Sequence, residues 1–187
     1  QLIYDSQRQR LVLYGGYYEQ NEEQWFYTDT WEWDGYSWYE VEFDTVAPYA
    51  TIFKMVYDPT QNRAVAYLNC DPTGTWFWED QQWYKPTLTT EPPVRSQHHM
   101  VYDPLRLRTV LFGGHCTGQG GALLNDTWVL ENDQWRELTF SRTPSPRWGH
   151  VMFYDWQRQS VMLFGGVDGQ RYKNDMWELS FAPGPQE

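Results

Sequence analysis

The chain has 187 residues, a net charge of −11 and an aromatic content of 19% that includes 12 tryptophans. That length suits one domain with a sizeable core, and the acidic balance argues against nucleic acid and anionic membrane surfaces, which call for Lys and Arg. No apolar run approaches the length of a membrane span, so membrane insertion is not expected.

Taken in order, the chain reads as short strands separated by turn residues. The first four are Leu2–Asp5, Leu11–Tyr14, Thr30–Trp33 and Trp38–Val41. The next four are Phe53–Tyr57, Ala64–Leu68, Trp76–Glu79 and Gln82–Lys85. A third set follows in HHMVYD, RTVLFGG, DTWVLE and QWREL, between His98 and Leu138. The last set has only three, near His150–Tyr154, Val161–Phe164 and Met176–Phe181. Val, Thr, Phe and Trp suit a pleated surface, and Gly, Pro, Asn and Asp break it. No ten-residue stretch carries an unbroken apolar period of 3.6, so no helix is expected.

The sets are copies of one another. Tyr-Asp ends the first strand at Asp5, Asp58, Asp103 and Asp155, spaced by 53, 45 and 52 residues, a period that suits a propeller blade. Gly-Gly follows the second strand at Gly15, Gly113 and Gly165, with Leu68-Asn69 in its place in the second copy. Trp31, Trp76, Trp128 and Trp177 open the third strand, and Trp38, Trp83 and Trp135 the fourth.

These residues resemble the kelch repeat. The likeness rests on YDSQRQRLVLYGG with TDTWEWDGYSW, YDPLRLRTVLFGG with NDTWVLENDQW, and YDWQRQSVMLFGG with NDMWEL. Arg-x-x-His ahead of the first strand, at Arg95/His98 and Arg147/His150, belongs to the same pattern, from which Ala50 and Phe53 depart. The wording looks most like arrays in secreted bacterial proteins. The resemblance implies an all-β propeller of four four-stranded antiparallel blades, about 1–43, 44–87, 88–140 and 141–187, the last incomplete. It implies a recognition module, with no cofactor and no catalytic residue assigned. Kelch-built copper oxidases use a Tyr-His pair, and no Tyr-His dipeptide occurs here.

Four copies also separate structural residues from free ones. Asp29, Asp126 and Asp175 recur before the third strand and are expected to cap turns through backbone N–H groups. Arg10, Arg63 and Arg108 recur five places after the Asp and are expected to hold the first turn. The third-strand tryptophans are expected in the core. His98 and His150 share a repeated position, so no metal site is expected from the four histidines. Asn125-Asp126-Thr127 is formally a glycosylation sequon, but it falls in a repeated turn.

In an up-down-up-down blade, the loops between second and third strands share one face with the linkers between blades. Variable loops on a rigid scaffold carry binding. The unrepeated residues fall there. Tyr17, Tyr18, Trp25, Phe26 and Tyr27 form an acidic, aromatic loop, joined by His115, Arg171 and Tyr172. Rings beside carboxylates suit a glycan or a protein hot spot. Binding or scaffolding is therefore the favoured role. Its rivals are an enzyme with a site at the channel mouth, oxidase- or sugar-isomerase-like, and a structural subunit of an extracellular assembly. Aligning the copies sets Cys70 beside Cys116 on neighbouring loops, so a disulfide and an extracellular or cell-surface setting are expected. The sequence starts at Gln1 without Met or signal peptide, which fits a mature product and an excerpt alike. The fourth blade lacks a Trp-bearing fourth strand, so self-association or further blades are expected to complete the ring.

Overall fold

The computed structural model describes residues 1–21, 23–49, 53–69, 74–115 and 121–180. Cys70, Cys116 and Ala50 lie outside the described residues, as does the stretch 181–187. Fifteen strands form four separate antiparallel sheets, each taking its strands in chain order. Blade one holds β1 (Leu2–Asp5), β2 (Arg10–Gln20), β3 (Glu23–Trp33) and β4 (Trp38–Glu40). Blade two holds β5 (Lys54–Asp58), β6 (Arg63–Leu68), β7 (Gly74–Glu79) and β8 (Gln82–Tyr84). Blade three holds β9 (His99–Asp103), β10 (Arg108–His115), β11 (Leu123–Glu131) and β12 (Gln134–Leu138). Blade four holds β13 (Val151–Asp155), β14 (Ser160–Phe164) and β15 (Met176–Leu179), three strands among the described residues. None of the described residues forms a helix long and apolar enough to cross a membrane.

Local chemistry fixes each hairpin. The first turn is closed by the Tyr-Asp carboxylate, which accepts backbone N–H bonds two and three residues on, as from Gln7 and Arg8 to Asp5 at 3.0 Å. The outer turns of blades two and three are two-residue loops, Asp80-Gln81 and Asn132-Asp133, with both residues at positive φ as a type I′ turn requires.

The blades meet through side chains in one repeated register. Met55, Ala66, Trp76, Trp78 and Trp83 of blade two pack on Ile3, Val12 and Tyr14 of blade one. Met100, Leu111, Trp128 and Trp135 of blade three pack on Val65, Tyr67 and Phe77. Met152, Val161, Leu163 and Trp177 of blade four pack on Val110, Phe112 and Val129. Each large apolar side chain buried this way contributes roughly 1.5–3 kcal/mol. Two seams add a polar stitch: Trp83 Nε1 donates to Thr30 Oγ1 at 3.1 Å, and Trp135 Nε1 to Thr75 Oγ1 at 2.8 Å.

Four expectations are corrected. The stretch Tyr17–Tyr27 is not a loop. β2 and β3 stay paired as far as Gln20 opposite Glu23, because alternating aromatic and polar residues continue the ladder past the bulge at Gly15. Asp126 and Asp175 are not backbone caps but take buried arginines. Arg95 Nη1 and Nη2 reach Asp126 at 2.7 and 2.6 Å, and Arg147 reaches Asp175 at 2.6 and 2.9 Å. All three aspartates, Asp29 included, also accept the indole N–H two residues on. Arg147 accordingly holds the Asp175 carboxyl well below the usual carboxylate range. The expected turn role of Arg10, Arg63 and Arg108 is largely taken by others. Arg8, Arg106 and Arg158 pair with the turn aspartate, Arg108 reaching it only at 3.7 Å, while Arg10 bonds Tyr39 and Arg63 crosses to Asp133 of blade three. Finally, Trp31 and Trp177 are only half-buried, unlike Trp76 and Trp128. Trp31 faces away from blade two, and Trp177 lies in a sheet with no fourth strand among the described residues.

The same register leaves both ends open. Leu2, Tyr4 and Trp38 of blade one are 53%, 53% and 43% exposed, whereas Met55 and Trp83 at the matching positions are 6% and 1%. Phe164 of blade four is 45% exposed, whereas its counterparts Tyr14, Tyr67 and Phe112 are 1%, 1% and 3%.

Candidate functional site

The β2–β3 hairpin extends beyond its counterparts, with 11 residues in each strand against 6 in each of β6 and β7. Its cross-strand pairs are Tyr17 with Phe26 and Tyr18 with Trp25. Directly opposed residues share a face, so the hairpin carries two aromatic faces. On one, Tyr17 lies 6.1 Å from Phe26, whose ring meets Tyr49 of the blade-one-to-two linker edge-on at 5.4 Å. On the other, Tyr18 and Trp25 lie 5.8 Å apart. Tyr17, Tyr18, Trp25 and Tyr27 are all exposed, and Phe26 is half-buried.

Tyr17 also borders a recess of about 490 Å³ at the start of the inner strands. Gln1, Lys54, His99 and Val151 line it. Each stands four residues before a Tyr-Asp aspartate, so one position from every blade converges there. These residues differ from blade to blade, and that variation at one register is the signal the sequence carries for them. His98 and His150 border the recess too. They pack edge-on against Tyr67 and Phe112 as Phe53 packs against Tyr14, with centroids 5.5, 5.3 and 5.6 Å apart. Burial holds the imidazoles neutral, His99 drawn down to about 4 and His150 to about 3, with neighbouring cations assisting. Burial also lowers Lys54 from its ordinary value. The described residues contain no group of three or more His, Cys, Asp or Glu able to hold a metal ion.

The other candidates stand apart. His115 ends β10 opposite Leu123 and bridges to Ser96. Arg171 and Tyr172 sit in a tight turn closed by Asp168, which accepts the Arg171 N–H at 2.9 Å, with Val167 bridging to Tyr172. Lys173 holds the Asp168 carboxyl down at about 2. None of His115, Arg171 and Tyr172 lines the recess beside Tyr17. The Asn125 amide donates to Thr143 Oγ1 at 3.2 Å, a structural use of the sequon residue.

Blades joined by aromatic seams, with an exposed hairpin and a recess at one end, define a β-propeller scaffold. The KLHDC2/KLHL20/DRC7 kelch-repeats domain matches residues 68–183, more than half of the sequence, and the chain belongs to the kelch-repeat family. Adagio-like protein 1 of Oryza sativa subsp. japonica is 37% identical over 76 residues, covering 38% of this chain and 12% of that protein. Adagio-like protein 3 of the same plant is 36% identical over 77 residues, again 38% of this chain and 12% of the relative. Among solved structures, YjhT superposes with a TM-score of 0.59 at 14% identity, over 84% of this chain and 56% of that one. The chain thus spans a small part of the rice relatives' length and little more than half of YjhT.

Proposed function

We propose that this kelch scaffold is a non-catalytic binding module whose ligand is a protein segment held against the β2–β3 hairpin and the recess beside Tyr17. One observation carries the reading. The hairpin exposes Tyr17, Tyr18, Trp25 and Tyr27 far beyond the seams that use aromatics for packing. Exposed Tyr and Trp are the side chains that dominate protein hot spots. Glu19 and Glu23 on the same strands favour a partner with basic residues. The experiment is a peptide array and a glycan array probed with the parent chain and with a Tyr18→Ala/Trp25→Ala variant. The expected outcome is peptide signal that falls at least about tenfold in the variant, the effect of losing one hot spot. Signal on glycans alone, or peptide signal unchanged in a folded variant, overturns the reading.

The open faces of blades one and four support a scaffold that continues, into further blades or a second copy. An extracellular or cell-surface setting belongs to the same reading, and in it Cys70 and Cys116 form a disulfide stapling blade two to blade three. Thiol labelling of the unreduced, denatured chain is expected to find no free thiol, and two labelled cysteines would count against both statements.

A further inference from the structure

A cleft of about 530 Å³ opens at the seam between blades one and two, on the side of the short hairpin turns. The matching place between blades two and three has only about 150 Å³. Two substitutions account for the difference. At one register of the third strand, Glu32, Phe77 and Val129 line the three seams and are 2%, 1% and 0% exposed, so the first seam holds a buried carboxylate where the others hold apolar groups. The outer turn of blade two then has Gln81 where that of blade three has Asp133. Between blades two and three, Arg63 lies over the Phe77 ring at 3.6 Å and bonds Asp133, which closes the gap. Between blades one and two, Arg8 spans Asp5 and Glu32 at 2.6 and 2.7 Å, and Gln81 gives Glu32 only a 3.4 Å contact. Arg10, the counterpart of Arg63, stays on Tyr39 of its own blade.

We infer that this cleft is a second binding site, for a neutral saccharide. The charge pattern selects the class. Two cations, Arg8 and Arg10, share the walls with the carboxylates of Asp5, Glu32, Glu79 and Asp80. An anion would meet the carboxylates and a cation the guanidinium groups, while an apolar guest would strip water from all of them without replacing its hydrogen bonds. A sugar hydroxyl donates one hydrogen bond and accepts others at the same oxygen, so a run of hydroxyls satisfies both kinds of wall at once. Tyr39, Tyr57 and Trp78 add rings for the C–H faces of the sugar. The Trp78 indole N–H, buried without a partner among the described residues, is a donor still to be used. The volume lies in the range of sites that enclose a small ligand. None of the cleft residues belongs to the β2–β3 aromatic pairs or to the recess beside Tyr17, so the inference stands apart from the peptide reading.

The probes are cellotriose, maltotriose, xylotriose and mannotriose, offered at millimolar concentration to the intact chain and followed by saturation-transfer NMR and hydrogen exchange. Saturable binding of at least one of them is expected, with slower exchange at Gln7–Arg10 and at Asp80-Gln81. Arg10→Gln is expected to weaken it about tenfold, the effect of losing one hydrogen bond to a charged group. The double variant Glu32→Phe/Gln81→Asp gives the first seam the residues of the second. It is expected to fold with a urea midpoint no lower than the parent's, to let Arg10 cross to the new carboxylate as Arg63 crosses to Asp133, and to lose sugar binding altogether. The Tyr18→Ala/Trp25→Ala variant is expected to bind the sugar as the parent does. Four results would overturn the inference: no trisaccharide bound at millimolar concentration, binding retained by the folded double variant, binding lost with the hairpin aromatics, or tighter binding of anionic trigalacturonate or cationic spermidine than of every neutral sugar. Should the double variant fail to fold, undiminished binding by Arg10→Gln is the overturning result.

Discussion

His98 and His150 are buried, and their ring nitrogens find no partner in good hydrogen-bond geometry among the described residues, the Phe112 backbone lying beside His150. A polar ring left that way is costly. Phe53 explains the arrangement, because it fills the same position in blade two without any polar atom. The imidazole serves there as an aromatic plate between blades. A pH dependence follows. Burial lowers His150 to about 3 in the folded chain, while the unfolded value lies near 6.5. Between those values the unfolded chain binds a proton that the folded ring refuses. Stability is therefore fully present above about pH 6.5 and falls as acid is added, by up to ~1.4 kcal/mol per pH unit for each such histidine. His150→Phe is expected to fold, and to lose less stability than the parent between pH 7 and pH 5 in urea titrations. An equal loss in both would show that the ring makes a polar contact essential to the native state.

Among the elements, the glycine pairs separate packing from conformational freedom. Gly114 has φ +99, and a Cβ on it would stand 2.6 Å from Ser96 O and 2.9 Å from His98 N. The pair lets the second strand bend against the lead-in segment that bears Arg95. Gly16 has φ +148 and open space around its Cβ direction. Gly114→Ala is expected to cost about 3 kcal/mol or more and Gly16→Ala about 1 kcal/mol, read as shifts in the urea midpoint. Similar midpoints for the two variants would mean that the close approach at Gly114 is not what selects glycine. The strands, their order and the blade count were legible because Tyr-Asp, Gly-Gly and Trp recur in one register. The length of β2 and β3 was not, since Glu19, Gln20, Glu23 and Gln24 look like loop residues until Tyr17 and Phe26 are seen paired. Nor were the partners of Asp126 and Asp175 legible. A recurring aspartate before a strand suits a turn cap equally well, and only the fold brings Arg95 and Arg147 across 31 and 28 residues to meet them. The hairpin aromatics of the candidate site stood out by being unrepeated. The recess beside them was hidden because its residues come from four blades.

On the scale of the whole molecule, the three seams and the two ends are the same surface in two states. Met55, Met100 and Met152 are buried where Leu2 is exposed, and Tyr14, Tyr67 and Phe112 are buried where Phe164 is exposed. Four blades joined this way form an arc, with one face of each kind left over to continue it. The inner strands meet in succession, β1 with β5, β5 with β9 and β9 with β13. The net charge of −11 sets repulsion between copies against the pull of the apolar ends. Hydroxyl-radical footprinting of the dilute 187-residue chain, read residue by residue by mass spectrometry, tests the open arc most directly. Tyr4, Trp38, Phe164 and Met176 are expected to oxidise far faster than the buried Tyr14, Trp83, Trp135 and Phe112. Protection of Tyr4, Trp38 and Phe164 to the level of those seam residues in the monomer would contradict it, because the chain would then be closing its own ring.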